Sequence, residues 1–173
     1  YLRLNTVRIG AEHVPVAFST DSLAVAGKEA ILGFKPFQDY CTRLNNPAFR
    51  VTKIQVTEVG LFGKRIGYVN VKSDIKDAAG APLPSCAILR GGSVAILVVL
   101  VTPEAEYAVI VRQARTPIGE NAFAEIPAGM LDGSGDFTGK AAAEMKEELG
   151  ITVDKNGLID MTALAYGENC PGV

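Results

Sequence analysis

The chain has 173 residues, a length that suits one domain with a small accessory lobe. Its composition, 48% hydrophobic against 21% charged, excludes a disordered polymer. A formal net charge of -2 argues against the basic face of a nucleic-acid binder, and the longest apolar run, residues 94–101, is too short to span a bilayer.

From the N-terminus, Val7, Ile9, Val14, Val16 and Phe18 alternate loosely and predict one or two short strands. Residues 19–33 mix small residues with turn formers and carry no assignable pattern. Pro36 suits the first turn of a helix, with Phe37, Tyr40, Cys41 and Leu44 at helical spacing and Asn45-Asn46-Pro47 as its stop. Residues 51–61 alternate as a strand, Gly63-Lys64 turns, and residues 66–71 return as the second arm of a hairpin. Residues 76–84, with Gly80, Pro82 and Pro84, read as a loop, and residues 86–89 begin another strand. The apolar run at 94–101 predicts a buried central strand, paired antiparallel with residues 107–112 around Pro103-Glu104-Ala105-Glu106. A helix is expected over about 138–149, with Thr138 or Asp136 near its N-cap, and a strand over 158–166. Strands followed by a helix and a further strand give an α+β class with a mixed sheet.

Cys41, Cys86 and Cys170 match no zinc spacing and are odd in number, which predicts reduced thiols in a reducing compartment. The single histidine, His13, excludes a multi-histidine metal site and a histidine triad, and is expected at the surface. The chain opens on Tyr1 with no visible signal peptide. It therefore reads as a processed or shortened intracellular protein of the cytoplasm or an organelle interior, not a secreted one, and a removed targeting peptide is compatible with this.

Chemistry concentrates in residues 128–151, AGMLDGSGDFTGKAAAEMKEELGI. A glycine-rich loop runs into a helix bearing Glu144, Glu147 and Glu148, which share one face because residues three and four apart are neighbours. Three carboxylates in one place resist joint ionisation. A hard divalent cation relieves the conflict, since Mg²⁺ takes oxygen ligands and bridges carboxylates to substrate phosphates. Met145 and Leu149 are spaced to pack inward while the glutamates face out, and Gly150 follows as a helix stop.

The stretch resembles the Nudix box, G-x5-E-x7-R-E-U-x-E-E-x-G-U with U a bulky aliphatic residue. Gly129, Glu144, Met145, Glu147, Glu148, Gly150 and Ile151 take the matching places without a gap. Two places depart: Gly135 stands in the first glutamate slot and Ala143 in the arginine slot. In the family these two side chains form a supporting ion pair. Losing one partner of a buried pair costs ~3–5 kcal/mol, whereas replacing both is often neutral, so the double change reads as compensated. Asp136 and Lys140, four apart, offer a local substitute worth a few tenths of a kcal/mol.

Upstream, Gln113-Ala114-Arg115-Thr116-Pro117 and Glu125-Ile126-Pro127-Ala128-Gly129 resemble the Q-x-R-x-P … E-[LI]-P-A-G run of the ADP-ribose and ADP-sugar pyrophosphatase branch. Residues 60–67 and Leu89-Arg90-Gly91-Gly92 are similar to plant-type ADP-sugar diphosphatases. The likeness covers roughly residues 34–168 and is strongest over 90–151.

The resemblance implies an α/β/α sandwich over residues 86–173 and a strand-rich N-terminal lobe over residues 1–85 that packs across a homodimer. It implies Mg²⁺, with Mn²⁺ as a possible substitute, held by Glu144, Glu147, Glu148 and the backbone carbonyl of Ala128. The three glutamates are thereby the expected catalytic residues. Arg90 and Arg115 are expected to bind phosphate, where a guanidinium fork is suited to bidentate recognition. Glu125 either bonds a sugar hydroxyl or pairs with Arg115, and Met130 either packs beside the substrate or belongs to the core. The family fold continues past the strand near Tyr166, so its C-terminal part, with the loop carrying a catalytic glutamate, is expected to be missing here. Glu168 is then the late acidic residue that remains as a candidate base. The implied activity is hydrolysis of the pyrophosphate bond of a nucleotide-sugar to AMP and a sugar phosphate. The alternative is a catalytically weak module that binds a nucleotide-sugar.

Overall fold

The computed structural model describes residues 5–130, 145–147, 150, 152 and 154–167. The class is mixed α+β, rich in strands and with few helices. The chain divides into two compact units, residues 1–91 and 92–173.

The first unit opens with an antiparallel hairpin of β1 (Thr6–Ile9) and β2 (Glu12–Phe18), as the alternation predicted. Three helices follow: α1 (Thr20–Val25), α2 (Lys28–Gly33) and α3 (Lys35–Arg43). The first two occupy the stretch that had no assignable pattern. They are short, and α1 depends on a local cap, in which the Ser19 hydroxyl accepts from the Ser22 N–H at 3.1 Å. Ser19 is itself moored to the sheet, its N–H donating to the Val56 carbonyl at 3.0 Å and its hydroxyl to that of Thr57 at 3.1 Å. The third helix is the one Pro36 announced, and it buries Phe37 and Cys41.

These helices form the crossover that a parallel pairing requires. Strand β2 pairs in parallel with β3 (Arg50–Phe62), which pairs antiparallel with β4 (Arg65–Lys76). The short strand β5 (Pro82–Leu83) and β6 (Cys86–Leu89) both pair with β4, giving a six-stranded mixed sheet. The division between the two compact units falls after β6. The β3–β4 turn is the expected Gly63-Lys64, with Gly63 at φ 63°, a left-handed conformation suited to glycine.

Strand β4 alternates as its sequence suggests, with Val69, Val71, Ser73 and Ile75 buried. Strand β3 does not: its buried residues are Val51, Ile54, Val56 and Val59. The register slips by one residue at Thr52 and again at Thr57, each an extra residue with no direct partner on β4. Each bulge returns the next apolar side chain to the inner face. Both threonine hydroxyls donate across to β4, to the carbonyls of Asp74 and Asn70, each at 3.2 Å. The core under this sheet joins Ile9, Val14, Val16, Ile31, Phe37, Ile54, Val56, Val69 and Val71. Full burial of each large apolar side chain there is worth about 1.5–3 kcal/mol. The Tyr40 hydroxyl meets that of Ser73 at 2.9 Å and so ties α3 to the sheet.

The described residues of the second unit form three separate two-stranded ladders. Strand β7 (Ser93–Ala95) pairs with β12 (Ala128–Met130). Strand β8 (Val99–Val101) pairs with β9 (Glu106–Ala108), and β10 (Val111–Arg115) with β11 (Glu120–Glu125). Among its described residues Ile96 and Met145 form a buried apolar cluster, with Val94, Val98 and Leu158 packed around them.

Two expectations are corrected here. The apolar run at 94–101 is not one buried strand. It changes partner between β7 and β8, Ile96 is its buried residue, and Val99, Leu100 and Val101 are exposed, Val101 at 67%. Its partner run changes ladder too, leaving β8 after Ala108 and joining β11 from Val111. Residues 158–166 are not a strand but run into the helix Met161–Tyr166. Asp160 caps it, accepting from the Ala163 N–H at 2.8 Å, and Gly167 ends it at φ 56°. A local cap and a glycine stop around alanine and leucine outweigh the weak alternation of that stretch.

Candidate active site

The strand that leads to the glycine-rich loop is pinned from below. Pro127 is fully buried, and its carbonyl accepts from the Ile96 N–H at 2.9 Å. Pro127 and Ile96 therefore face each other as a hydrogen-bonded pair. In an antiparallel ladder such pairs alternate with non-bonded ones. The next pair, Ala128 with Ala95, is of the second kind, so the Ala128 carbonyl turns away from β7. Met130 is half-buried at the end of the same strand, opposite Ser93.

Residues 145–147 are helical, within the range the sequence predicted. Met145 is 3% exposed and packs on Ile96, while Lys146 and Glu147 are exposed. The inward methionine and outward glutamate match the two-faced reading of this helix. Gly150 adopts φ 70°, and its N–H donates to the Lys146 carbonyl at 3.1 Å, a left-handed cap that ends the helix. Glu144, Glu148, Gly135, Ala143, Asp136, Lys140, Leu149 and Glu168 lie outside the described residues. Among the described residues no cluster of three metal-ligating side chains forms. The Ala128 carbonyl turned off its ladder and the exposed Glu147 carboxylate are oxygen donors of the kind that suit Mg²⁺.

The remaining candidates divide. Arg115 and Glu125 come together: the Arg115 Nε donates to Glu125 Oε2 at 3.1 Å and its Nη2 donates to Oε1. Of the two roles open to Glu125, pairing with Arg115 is the one seen. Arg90 follows β6, is exposed, and falls in the first unit, whereas Arg115, Glu125, Ala128, Met130 and Glu147 fall in the second. The contact the sequence reading missed is the Ile96–Pro127 bond that orients Ala128. Its one signal, a proline before the loop, does not reveal the partner strand.

Elsewhere, His13 is exposed on β2. Cys41 and Cys86 are free thiols, and burial pushes that of Cys41 up to about 11. The Tyr68 hydroxyl donates to Glu58 at 2.8 Å, which raises its pKa because the bond favours the phenol over the phenolate. A shallow depression in the first unit, lined by Val7, Arg8, Leu32, Phe37, Gln38, Cys41 and Thr42, holds none of the candidate residues.

No protein-family model matches the chain. A curated relative does: Nudix hydrolase 14, chloroplastic, of Arabidopsis thaliana is 39% identical over 122 residues, which are 69% of this chain. This likeness supports the Nudix superfamily. The matched part is 39% of the relative, so the chain spans well under half of the length of that Nudix hydrolase. Among the described residues no helix is long and apolar enough to cross a membrane.

Proposed function

We propose that the chain is the catalytic part of a Nudix pyrophosphatase that hydrolyses a nucleoside diphosphate sugar of the ADP-ribose or ADP-glucose type. Water attacks one phosphorus, the bond from that phosphorus to the bridging oxygen breaks, and AMP and a sugar phosphate leave. The observation that carries this reading is the match of residues 129–151 to the box, joined to a likeness to a named Nudix hydrolase.

Glu144, Glu147, Glu148 and the Ala128 carbonyl are the proposed ligands for Mg²⁺ or Mn²⁺. When bound, the metal supplies charge neutralisation for the diphosphate and lowers the pKa of the attacking water. Arg90 and Arg115 hold phosphate oxygens, and Met130 packs against the substrate. Glu168 is the proposed base. The α/β/α sandwich, the N-terminal lobe as a homodimer element, and an organelle interior such as a plastid as the location belong to the same proposal. The relative's printed name, chloroplastic, supports the last of these.

The test is metal-dependent AMP release from ADP-ribose and ADP-glucose by the full-length protein. Glu148→Gln is expected to lower kcat by ~10²-fold or more, since it removes an electrostatic contact made at the reacting centre. Turnover unchanged by that substitution removes the catalytic assignment. Gly135 and Ala143 favour a second reading, a module that binds a nucleotide-sugar without cleaving it. Calorimetric binding of ADP-ribose with no product formed by the full-length protein selects that reading.

A further inference from the structure

The β10–β11 hairpin contains an ion pair that its register does not favour. Directly opposite Arg115 stands Glu120, the natural cross-strand partner. Arg115 passes it over and reaches Glu125, which is registered against Val111, four residues back along β10. The Glu120 carboxylate instead accepts from the Ala122 N–H at 3.2 Å.

The contact is a two-point one. Nε and Nη2 of Arg115 each donate to a different oxygen of Glu125. A two-point bond between a planar fork and a carboxylate fixes the plane of the guanidinium as well as its place. The Glu125 side chain is 20% exposed and that of Arg115 42%, so a sheltered acid holds a partly open base. Such a half-open pair contributes little to stability. Its consequence is geometric: the charged head of Arg115 is carried along the hairpin to the end of β11 that runs through Ile126 and Pro127 into Ala128.

We propose that Glu125 is a positioning residue, which holds the Arg115 guanidinium at the Ala128 end of the hairpin to receive the substrate's diphosphate. The inference rests on the hydrolase reading above. It gives Glu125 a role through Arg115 in place of a contact with a sugar hydroxyl.

The experiment is a double-mutant cycle on the full-length protein, reading KM, kcat and the Kd for ADP-ribose. Glu125→Gln is expected to raise KM and Kd ~10-fold with kcat nearly unchanged, because an amide oxygen holds the guanidinium less tightly than a carboxylate. Arg115→Ala is expected to weaken binding further. The double variant should match Arg115→Ala alone, since Glu125 then has nothing to hold. Glu125→Asp keeps the charge and should recover part of the lost affinity, which a merely structural role would not require; it also serves if Glu125→Gln fails to fold.

An unchanged KM in a folded Glu125→Gln protein overturns the proposal. So does the full effect of Glu125→Gln persisting beside Arg115→Ala, which would mean that Glu125 touches the substrate itself. A wild type that cleaves ADP-ribose but gives an additive cycle overturns the positioning role alone. A wild type that binds without cleaving overturns the hydrolase reading, while the Kd values still decide the role of Glu125. A wild type that does neither overturns both.

Discussion

The two units solve burial differently. Residues 1–91 gather six strands and three helices around one apolar cluster that runs from Ile9 to Ile75. The described residues of 92–173 form three two-stranded ladders over the pair Ile96 and Met145, and leave Val99, Leu100, Val101, Ile110, Ile118 and Phe123 well exposed. Every proposed metal ligand, and the Arg115–Glu125 pair, falls in the second unit. The proposed metal ligands and that pair thus lie in a different stretch of chain from the larger apolar cluster, while Arg90 lies in the same unit as that cluster. Among the described residues of the second unit the buried apolar cluster is small, so changes to Met145 should reach the proposed activity before they reach the melting of the first unit.

Three substitutions or treatments sharpen that contrast. The largest effect is expected from Phe37→Ala, which empties a fully buried site in the first core. It should cost ~3–5 kcal/mol of unfolding free energy, measured by urea titration, while affinity for ADP-ribose holds wherever the protein stays folded. Met145→Ala should cost ~2–3 kcal/mol and, unlike Phe37→Ala, should lower kcat, because Met145 is the inward anchor of the glutamate helix. Equal loss of activity from both would break the distinction between the units. The smallest effect concerns thiols. Cys41 is buried and its pKa is raised to about 11, so it should resist alkylation at pH 8 where the exposed Cys86 reacts, read peptide by peptide in mass spectrometry. The sign of its pH effect follows. The folded state keeps the Cys41 proton longer than the unfolded chain does, so the thiol's contribution to stability is complete below pH 9 and is lost as pH rises towards 11.

Much of the first unit was legible in the chain because its signals are local. The alternation of Val14 and Val16, the Pro36 helix start and the Gly63-Lys64 turn each act within a few residues. The two bulges in β3 were not legible. Thr52 and Thr57 look like ordinary strand residues until the opposing carbonyls of β4 are known. In the second unit the same lesson is stronger. Eight consecutive apolar residues at 94–101 suggested a buried strand, yet burial depends on what covers both faces, and this run changes partner midway. The helix Met161–Tyr166 was missed for the opposite reason, a strong local cap at Asp160 hidden in a weakly periodic stretch.

At the candidate site, residue types and spacing alone determined the inward Met145, the outward Glu147 and the Gly150 cap, because a helix repeats every 3.6 residues wherever it lies. The resemblance of residues 113–117 and 125–129 to the pyrophosphatase run is what named Arg115 and Glu125 as candidates. Only the tertiary structure decided that these two bond each other past a nearer acid, and that the Ala128 carbonyl turns off its ladder. Both outcomes hang on strand register, and register is a relation between segments distant in the chain that no single stretch of sequence contains.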